Sequence, residues 1–467
     1  MNQSQSLRAL TFAIALSAVF AASLPMTTAR AAAVLLVEAD SGKVLRAENA
    51  TYPWYPASVT KLMTLYVTLH AVKERRITLD SLFTVSRNAA AQAPTKMGFP
   101  VGTQVTVDNA LKMLMVKSAN DMAVLLAEGV SGSIENFADL MTVTAHRLGM
   151  TQSNFVNPNG LPAEGQITSA RDLAILARAL IREFPEYDFY LHIPAIKFGR
   201  RILRNHNNLL GRYPGTDGMK TGFICAAGFN VVASATRDGK RLIAVVLGAP
   251  SSSARAVKTA ELLESGFTQN PLSWLTPQLG LVDGLIPIAA SPPNLSEEVC
   301  GHHRKRPAAE EEEEEAGGEG GAGATPSFSA LLSALRAPTP KGAALLSDQG
   351  PVTPIVVYTG PTRTQAQLAS LQALPVDAPR HKKRAAKSTD EKAADRNAAD
   401  KKAAAVATTD GKAADTKSKA HAGPWTPMSS SALAASPPPE LGTKTASEVQ
   451  KKKPKKTQQA QKPTATQ

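Results

Sequence analysis

The sequence predicts an α/β domain followed by a long polar tail, and three features carry that reading. Short β-rich runs stand at both ends of the first 270 residues. Helical stretches with one apolar face lie between them. Beyond that point Ala, Pro, Lys, Thr and Glu dominate and aromatic residues become scarce, so little apolar surface is left to offset chain entropy. The chain has 467 residues, enough for two or three domains by length, yet its composition supports one.

Residues 1–31 read as a signal peptide: Arg8 supplies the positive start, 9–22 are apolar, and Ala29-Arg30-Ala31 fits a small-residue cleavage site. The apolar run is short for a membrane span, so an exported mature chain starting near Ala32 is expected. Residues 33–39 read as a strand, turned back by Asp40-Ser41-Gly42-Lys43 into a second strand near Val44. Pro56 and Ser58 open a helix that runs to Arg75, with Leu62, Leu65, Leu69 and Val72 at helical spacing. Further helices are expected over 108–115, from Asn120 through Val124, Leu125 and Glu128, and over 168–182 with Leu173, Leu176, Ala177 and Leu180 on one face. The period then changes. Residues 219–224, 229–235 and 242–247 read as strands, the last two joined through Asp238-Gly239, which suits a tight primed turn. Residues 254–267 close the domain as an amphipathic helix. Strands at both ends imply a sheet whose edges come from opposite termini.

The domain is thus expected over 32–270, a Pro/Glu/Gly-rich low-complexity linker over 271–379, and a basic Lys/Ala/Pro-rich disordered tail over 380–467. Residues 355–358 read as an isolated strand with no visible partner. The formal net charge is +13, of which 380–467 supplies +11 and 1–31 supplies +2, so the basic balance describes the tail and not the domain. Such a tail can adhere to anionic polymers, or act only as a solvated spacer. Nucleic acid is not an expected partner, because Trp425 is the one aromatic residue among the basic ones of the tail.

Only two cysteines occur, Cys225 and Cys300. An oxidising compartment permits a bridge that would pin the start of the tail near Cys225, and two unpaired thiols are equally consistent with sequence alone. Cys300 with His302 and His303 resembles a fragment of a metal site, but a flexible basic segment offers such groupings incidentally, so no metal is expected.

Ser58-Val59-Thr60-Lys61 places a hydroxyl and an amine three residues apart, on one face of a first helical turn. Serine needs a base within hydrogen-bond reach, and lysine serves as one only when neutral, which burial or a nearby cation favours. The helix N-terminus suits a developing negative charge. Alone this spacing is weak. Ser118-Ala119-Asn120 falls between two helices, where short polar side chains can point into a cleft. Lys220-Thr221-Gly222 lies on the strand before the hairpin: lysine and threonine can hold a carboxylate, and glycine leaves room for a ligand backbone. The ordered set Ser-x-x-Lys, Ser-x-Asn, Lys-Thr-Gly is a signature of penicillin-recognising enzymes.

With these motifs the sequence resembles the low-molecular-mass penicillin-binding proteins, the serine-type D-alanyl-D-alanine carboxypeptidases of peptidase family S11, over residues 33–267. Pro56-Ala57-Ser58-Val59-Thr60-Lys61-Leu62-Met63-Thr64, Asn157-Pro158-Asn159-Gly160-Leu161-Pro162, Asn207-Asn208-Leu209-Leu210 and Gly218-Met219-Lys220-Thr221-Gly222-Phe223 with Ala227-Gly228 carry the likeness. The resemblance implies a β-lactamase/transpeptidase-like fold, a five-stranded antiparallel sheet flanked by helices, and no cofactor. It implies that Ser58 forms the acyl-enzyme, Lys61 takes its proton, Ser118 relays protons to the leaving amine and Asn120 holds the substrate backbone. Lys220, Thr221 and Gly222 would receive the terminal carboxylate and adjoining backbone, with the N–H groups of Ser58 and Phe223 as oxyanion hole. Peptidoglycan stem peptides and β-lactam antibiotics are the implied partners, in the periplasm or cell envelope. Ala119 stands where members often have glycine, and neither the β-rich second domain nor the C-terminal amphipathic helix of many members is visible.

Rival readings are a β-lactamase, a D,D-endopeptidase acting on cross-links, and a non-catalytic envelope-binding protein. A class A β-lactamase needs an extra glutamate for deacylation. Between Asn120 and Lys220, Glu164 and Glu183 both lack the Glu-x-x-Leu-Asn context.

Overall fold

The computed structural model describes residues 32–268, 278–301 and 342–377. Residues 1–31, read above as a signal peptide, the run of glutamates at 310–315, His302, His303 and the basic span 380–467 lie outside the described residues.

β1 (Ala33–Glu38) and β2 (Val44–Glu48) pair antiparallel, and β1 pairs on its other side with β9 (Lys240–Ala249). β9 pairs with β8 (Gly228–Arg237) and β8 with β7 (Thr216–Ile224), giving one antiparallel sheet in the order β2-β1-β9-β8-β7. The two edges come from opposite ends of the domain, as expected. The hairpin between β8 and β9 turns on Asp238 (φ +52°) and Gly239 (φ +75°), the pair of positive φ values that a type I′ turn requires. Residues 242–247 of β9 are all buried, so both faces of the sheet are covered and the strand reads as a continuous apolar run.

α6 (Ala170–Glu183) and α8 (Ser252–Phe267) pack against this sheet. Each starts on a serine, Ser169 or Ser251, whose hydroxyl accepts from the backbone N–H three residues on. The helical layer holds α1 (Lys61–Lys73), α2 (Arg87–Ala91), α3 (Val107–Val116), α4 (Asn120–Ser131) and α5 (Ile134–Arg147). A single 3₁₀ turn (Ala57–Thr60) leads into α1. α1 is buried around most of its circumference, which is why it lacks a polar face. α5 was not expected from the sequence, although Ser133 caps it and Phe137, Met141 and Ala145 bury one stripe.

Smaller pieces complete the unit: β3 (Leu82–Thr84) with β4 (Gln104–Thr106), and α7 (Phe189–His192) before the hairpin β5 (Ala195–Phe198) and β6 (Arg201–Arg204).

The stretch 271–379, expected as a low-complexity linker, differs from that expectation where it is described. Val282, Leu295 and Val299 are buried, and α9 (Ser296–Cys300) ends on a disulfide between Cys300 and Cys225. Further along, β10 (Ile355–Val357) pairs in parallel with β5, and α10 (Gln365–Gln372) follows. The strand read as lacking a partner therefore has one. Buried Lys197 on β5 donates to the carbonyls of Gln372 and Leu374, both at 2.6 Å, capping the exposed end of α10. No helix among the described residues is long and apolar enough to cross a membrane.

Candidate active site

Ser58 sits in the 3₁₀ turn and Lys61 is the first residue of α1, so both side chains leave one turn on the same side. Lys61 is fully buried. Its Nζ lies 3.0 Å from Ser58 Oγ and donates to Asn120 Oδ1 at 2.8 Å and to the carbonyl of Asn159 at 2.6 Å.

Two further segments fix this amine. The loop 156–161 is held by Gln166, whose Oε1 accepts from the N–H groups of Val156 and Asn157 while its Nε2 donates to Thr60 Oγ1. Thr64 Oγ1 donates to the carbonyl of Pro158 at 2.6 Å, so the loop is pinned to α1 next to the amine it serves. Gly160 (φ +82°) is required here, because a Cβ would fall 1.9 Å from the carbonyl oxygen of Ala57. Asn120 opens α4, its backbone N–H donating to Thr95 and its side-chain Nδ2 to Ala93 at 2.9 Å. The amide expected to hold a substrate backbone therefore already orients Lys61 and the loop 93–95, with one N–H still available. Ser118 (1 % exposed) lies two residues earlier, its carbonyl accepting from Thr95 Oγ1. Its own Oγ has no hydrogen-bond partner among the described residues.

β7 brings the third motif from the sheet. Lys220 and Thr221 are both buried, with Lys220 Nζ donating to the carbonyl of Thr221 at 2.9 Å, while Thr221 Oγ1 has no partner among the described residues. A Cβ on Gly222 would lie 2.7 Å from Ser58 N and 2.9 Å from Val59 N, so only glycine lets the strand press against the Ser58 turn. Phe223 follows and stacks on Phe229, its register partner on β8. Asn230, opposite Gly222 on β8, donates to the carbonyls of Tyr55 and Pro56 and accepts from Gly248 N–H, tying the approach to Ser58 into the sheet. Behind it Arg255 is buried and donates to Asn230 O and Ser252 Oγ. At the start of β7, Asp217 pairs with Arg241, which also pairs with Asp188. Burial raises the Asp188 carboxyl, but hydrogen bonds from His192 and Arg241 outweigh it and hold the group below its usual range.

Backbone strain gathers at the same place. Of the six non-glycine residues with positive φ among the described residues, three lie in or beside the motifs, one for each: Ala57 (φ +49°), Ser118 (φ +59°) and Met219 (φ +78°). Three segments distant in sequence thus meet around one hydroxyl. The site contains a serine hydroxyl with an amine in reach, two buried hydroxyls without hydrogen-bond partners among the described residues, and a strand edge, since β7 is the outermost strand of its sheet. Asn159, Gln166 and Asn230 hold Lys61 and the Ser58 turn in place without having been assigned a role from sequence. Glu164 is exposed and Glu183 accepts from Tyr66 Oη, so neither bonds to Ser58 or Lys61 as a deacylating base would. Cys300, spent in the disulfide, is not available as a metal ligand, and no metal-holding group of acidic, His or Cys side chains occurs among the described residues.

Comparison with known proteins agrees with this geometry. Residues 18–251 match the family described as D-alanyl-D-alanine carboxypeptidase. DacC of Escherichia coli, a D-alanyl-D-alanine carboxypeptidase, is 40% identical over 245 residues, covering 51% of this chain and 61% of that protein. DacB2 of Mycobacterium tuberculosis, of the same description, is 32% identical over 267 residues, covering 54% of this chain and 87% of its own length. The solved structure of the carboxypeptidase DacD from Francisella tularensis matches with a TM-score of 0.50 at 31% identity, covering 51% of this chain and 70% of that one. The chain therefore spans less than two thirds of DacC.

Proposed function

This chain belongs to the D-alanyl-D-alanine carboxypeptidase family, and we propose that it removes the C-terminal D-alanine from peptidoglycan pentapeptides through an acyl-enzyme on Ser58. The observation that carries this reading is the placement of Lys61 Nζ between Ser58 Oγ, Asn120 Oδ1 and the Asn159 carbonyl. A neutral amine has two N–H bonds and one lone pair. With the two N–H bonds given to the carbonyl oxygens, the lone pair faces the serine hydroxyl and can accept its proton.

The substrate would lie extended along the free edge of β7, as peptides add to exposed strands. Its terminal carboxylate would be received by Lys220 Nζ and Thr221 Oγ1. Ser58 Oγ would attack the carbonyl carbon of the last peptide bond as Lys61 takes its proton. The oxyanion would be held by the N–H groups of Ser58 and Phe223, close together because Gly222 lets the strand approach. Collapse of the tetrahedral intermediate would expel D-alanine, whose nitrogen gains its proton through the Ser118 hydroxyl, and water would then release the shortened peptide. β-Lactams would enter the same steps and stay attached, because their ring-opened leaving group cannot depart and neither Glu164 nor Glu183 is placed to speed hydrolysis. Residues 1–31 would act as a cleaved export signal, and the basic span 380–467 would hold the enzyme near anionic envelope polymers.

The test is incubation of the purified chain with a pentapeptide ending in D-Ala-D-Ala. Release of one D-alanine per peptide, lost in Ser58→Ala, is expected. Absence of release, or release that survives Ser58→Ala, overturns the reading.

A further inference from the structure

The turn joining β7 to β8, residues 225–227, follows the substrate strand directly, and three separate segments hold it. Trp54, four residues before Ser58, donates its indole N–H to the carbonyl of Ala227 at 3.0 Å and is itself paired with Thr168. Leu295 donates its backbone N–H to the carbonyl of Ala226 at 2.9 Å. Cys300 is covalently joined to Cys225. Leu295 and Val299 are buried, so the strap 295–300 is seated by its own apolar side chains and does not hang from the disulfide alone. The strap lies beyond residue 251, where the family match ends.

A hairpin turn at the end of an edge strand is ordinarily a fraying point, because its backbone has a partner on one side only. Here the last residues of β7 include Phe223, whose N–H stands two residues from Cys225, and Gly222 packs against Ser58 N. Motion of the turn is therefore motion of one side of the oxyanion hole relative to the nucleophile. We infer that Cys300 and Leu295 are positioning residues for the acylation step: through the bond to Cys225 and the hydrogen bond to Ala226, they hold the end of the substrate strand against the Ser58 turn. This inference rests on the reading of Ser58 as the acylated residue.

The test uses the full chain with a fluorescent penicillin, resolving the acylation rate constant from the non-covalent binding constant at a temperature well below melting. Replacing both cysteines, Cys225→Ser with Cys300→Ser, is expected to lower the acylation rate constant about tenfold. The binding constant should change little, since Lys220 and Thr221 remain. Opening the bridge in the folded wild-type chain with a dithiol, which is oxidised as two thiols form, should produce the same loss, and reoxidation should restore the rate. The double serine variant should not respond to the dithiol. If the double variant fails to fold, the wild-type chain reduced while folded decides the matter. Unchanged acylation in the reduced chain or in the double variant would make the strap a stabilising element only and overturn the inference. Failure of the oxidised wild-type chain to label at all would instead overturn the proposed function.

Discussion

Adding one methyl group at Gly222 tests how closely the sheet and the nucleophile turn depend on each other. A Cβ there falls 2.7 Å from Ser58 N, 2.9 Å from Val59 N and 3.2 Å from Ala57 Cβ. The obstruction is backbone and not the far end of a side chain, so β7 or the 3₁₀ turn must retreat by about 0.7 Å to reach ordinary van der Waals contact. The turn cannot yield easily, since Asn230 holds the carbonyls of Tyr55 and Pro56 and Gly160 packs against Ala57. The strand should move, carrying the Phe223 N–H away from the proposed oxyanion position. Loss of one such donor costs about a hundredfold to a thousandfold in rate, and a displacement short of full loss should cost roughly one to two orders of magnitude. The overpacking should also destabilise the fold by about 1–3 kcal/mol. Both quantities are measured on Gly222→Ala, the second-order acylation rate with a fluorescent penicillin and the unfolding midpoint in urea. A folded variant that acylates within about twofold of wild type would refute the proposed coupling between strand approach and oxyanion geometry.

Lys61→Ala should lower acylation by about a hundredfold to ten-thousandfold, as loss of a general base does, and near-normal labelling would remove the residue from that role. Truncation after residue 270 deletes buried Val282, Leu295, Val299 and Val357 together with the disulfide. Each fully buried side chain is worth about 1.5–3 kcal/mol, so the truncate should melt well below the full chain; equal melting temperatures would show that these segments do not form part of the fold. Asp188→Asn should remove a stabilisation present at neutral pH. Because the folded carboxyl titrates below its unfolded value, that contribution is complete above the usual carboxylate range and is lost as pH falls through the lower, folded value. Urea titrations should find wild type more stable than the variant by about 1 kcal/mol at neutral pH and no more stable in strong acid. A difference that grows on acidification would contradict the sign.

The parts legible in sequence were those with short-range signals. Asp238-Gly239 announces its hairpin because both positions take positive φ, and α8 shows the stripe left by one buried face, whereas α3, α4 and α6 are buried around most of their circumference and were legible from apolar spacing alone. The three motifs identified Ser58, Lys61, Ser118, Asn120, Lys220 and Thr221 as candidates, and folding presses the strand that carries Lys220 against the turn that carries Ser58 at Gly222. What sequence could not supply is the scaffolding. Asn159 serves Lys61 through its backbone carbonyl, a role any residue type can fill, and Gln166 and Asn230 act on main-chain atoms of distant loops. β10 carries no local sign of its partner because parallel pairing joins segments far apart in the chain. The bridge from Cys225 to Cys300 needed an inter-residue distance that composition does not contain.

The most direct measurement of the central claim is peptide mapping by mass spectrometry after exposure of the folded chain to a β-lactam. One ring-opened adduct is expected, on the peptide containing Ser58, and none in Ser58→Ala. An adduct on any other residue, or one that persists when the hydroxyl is gone, would contradict it.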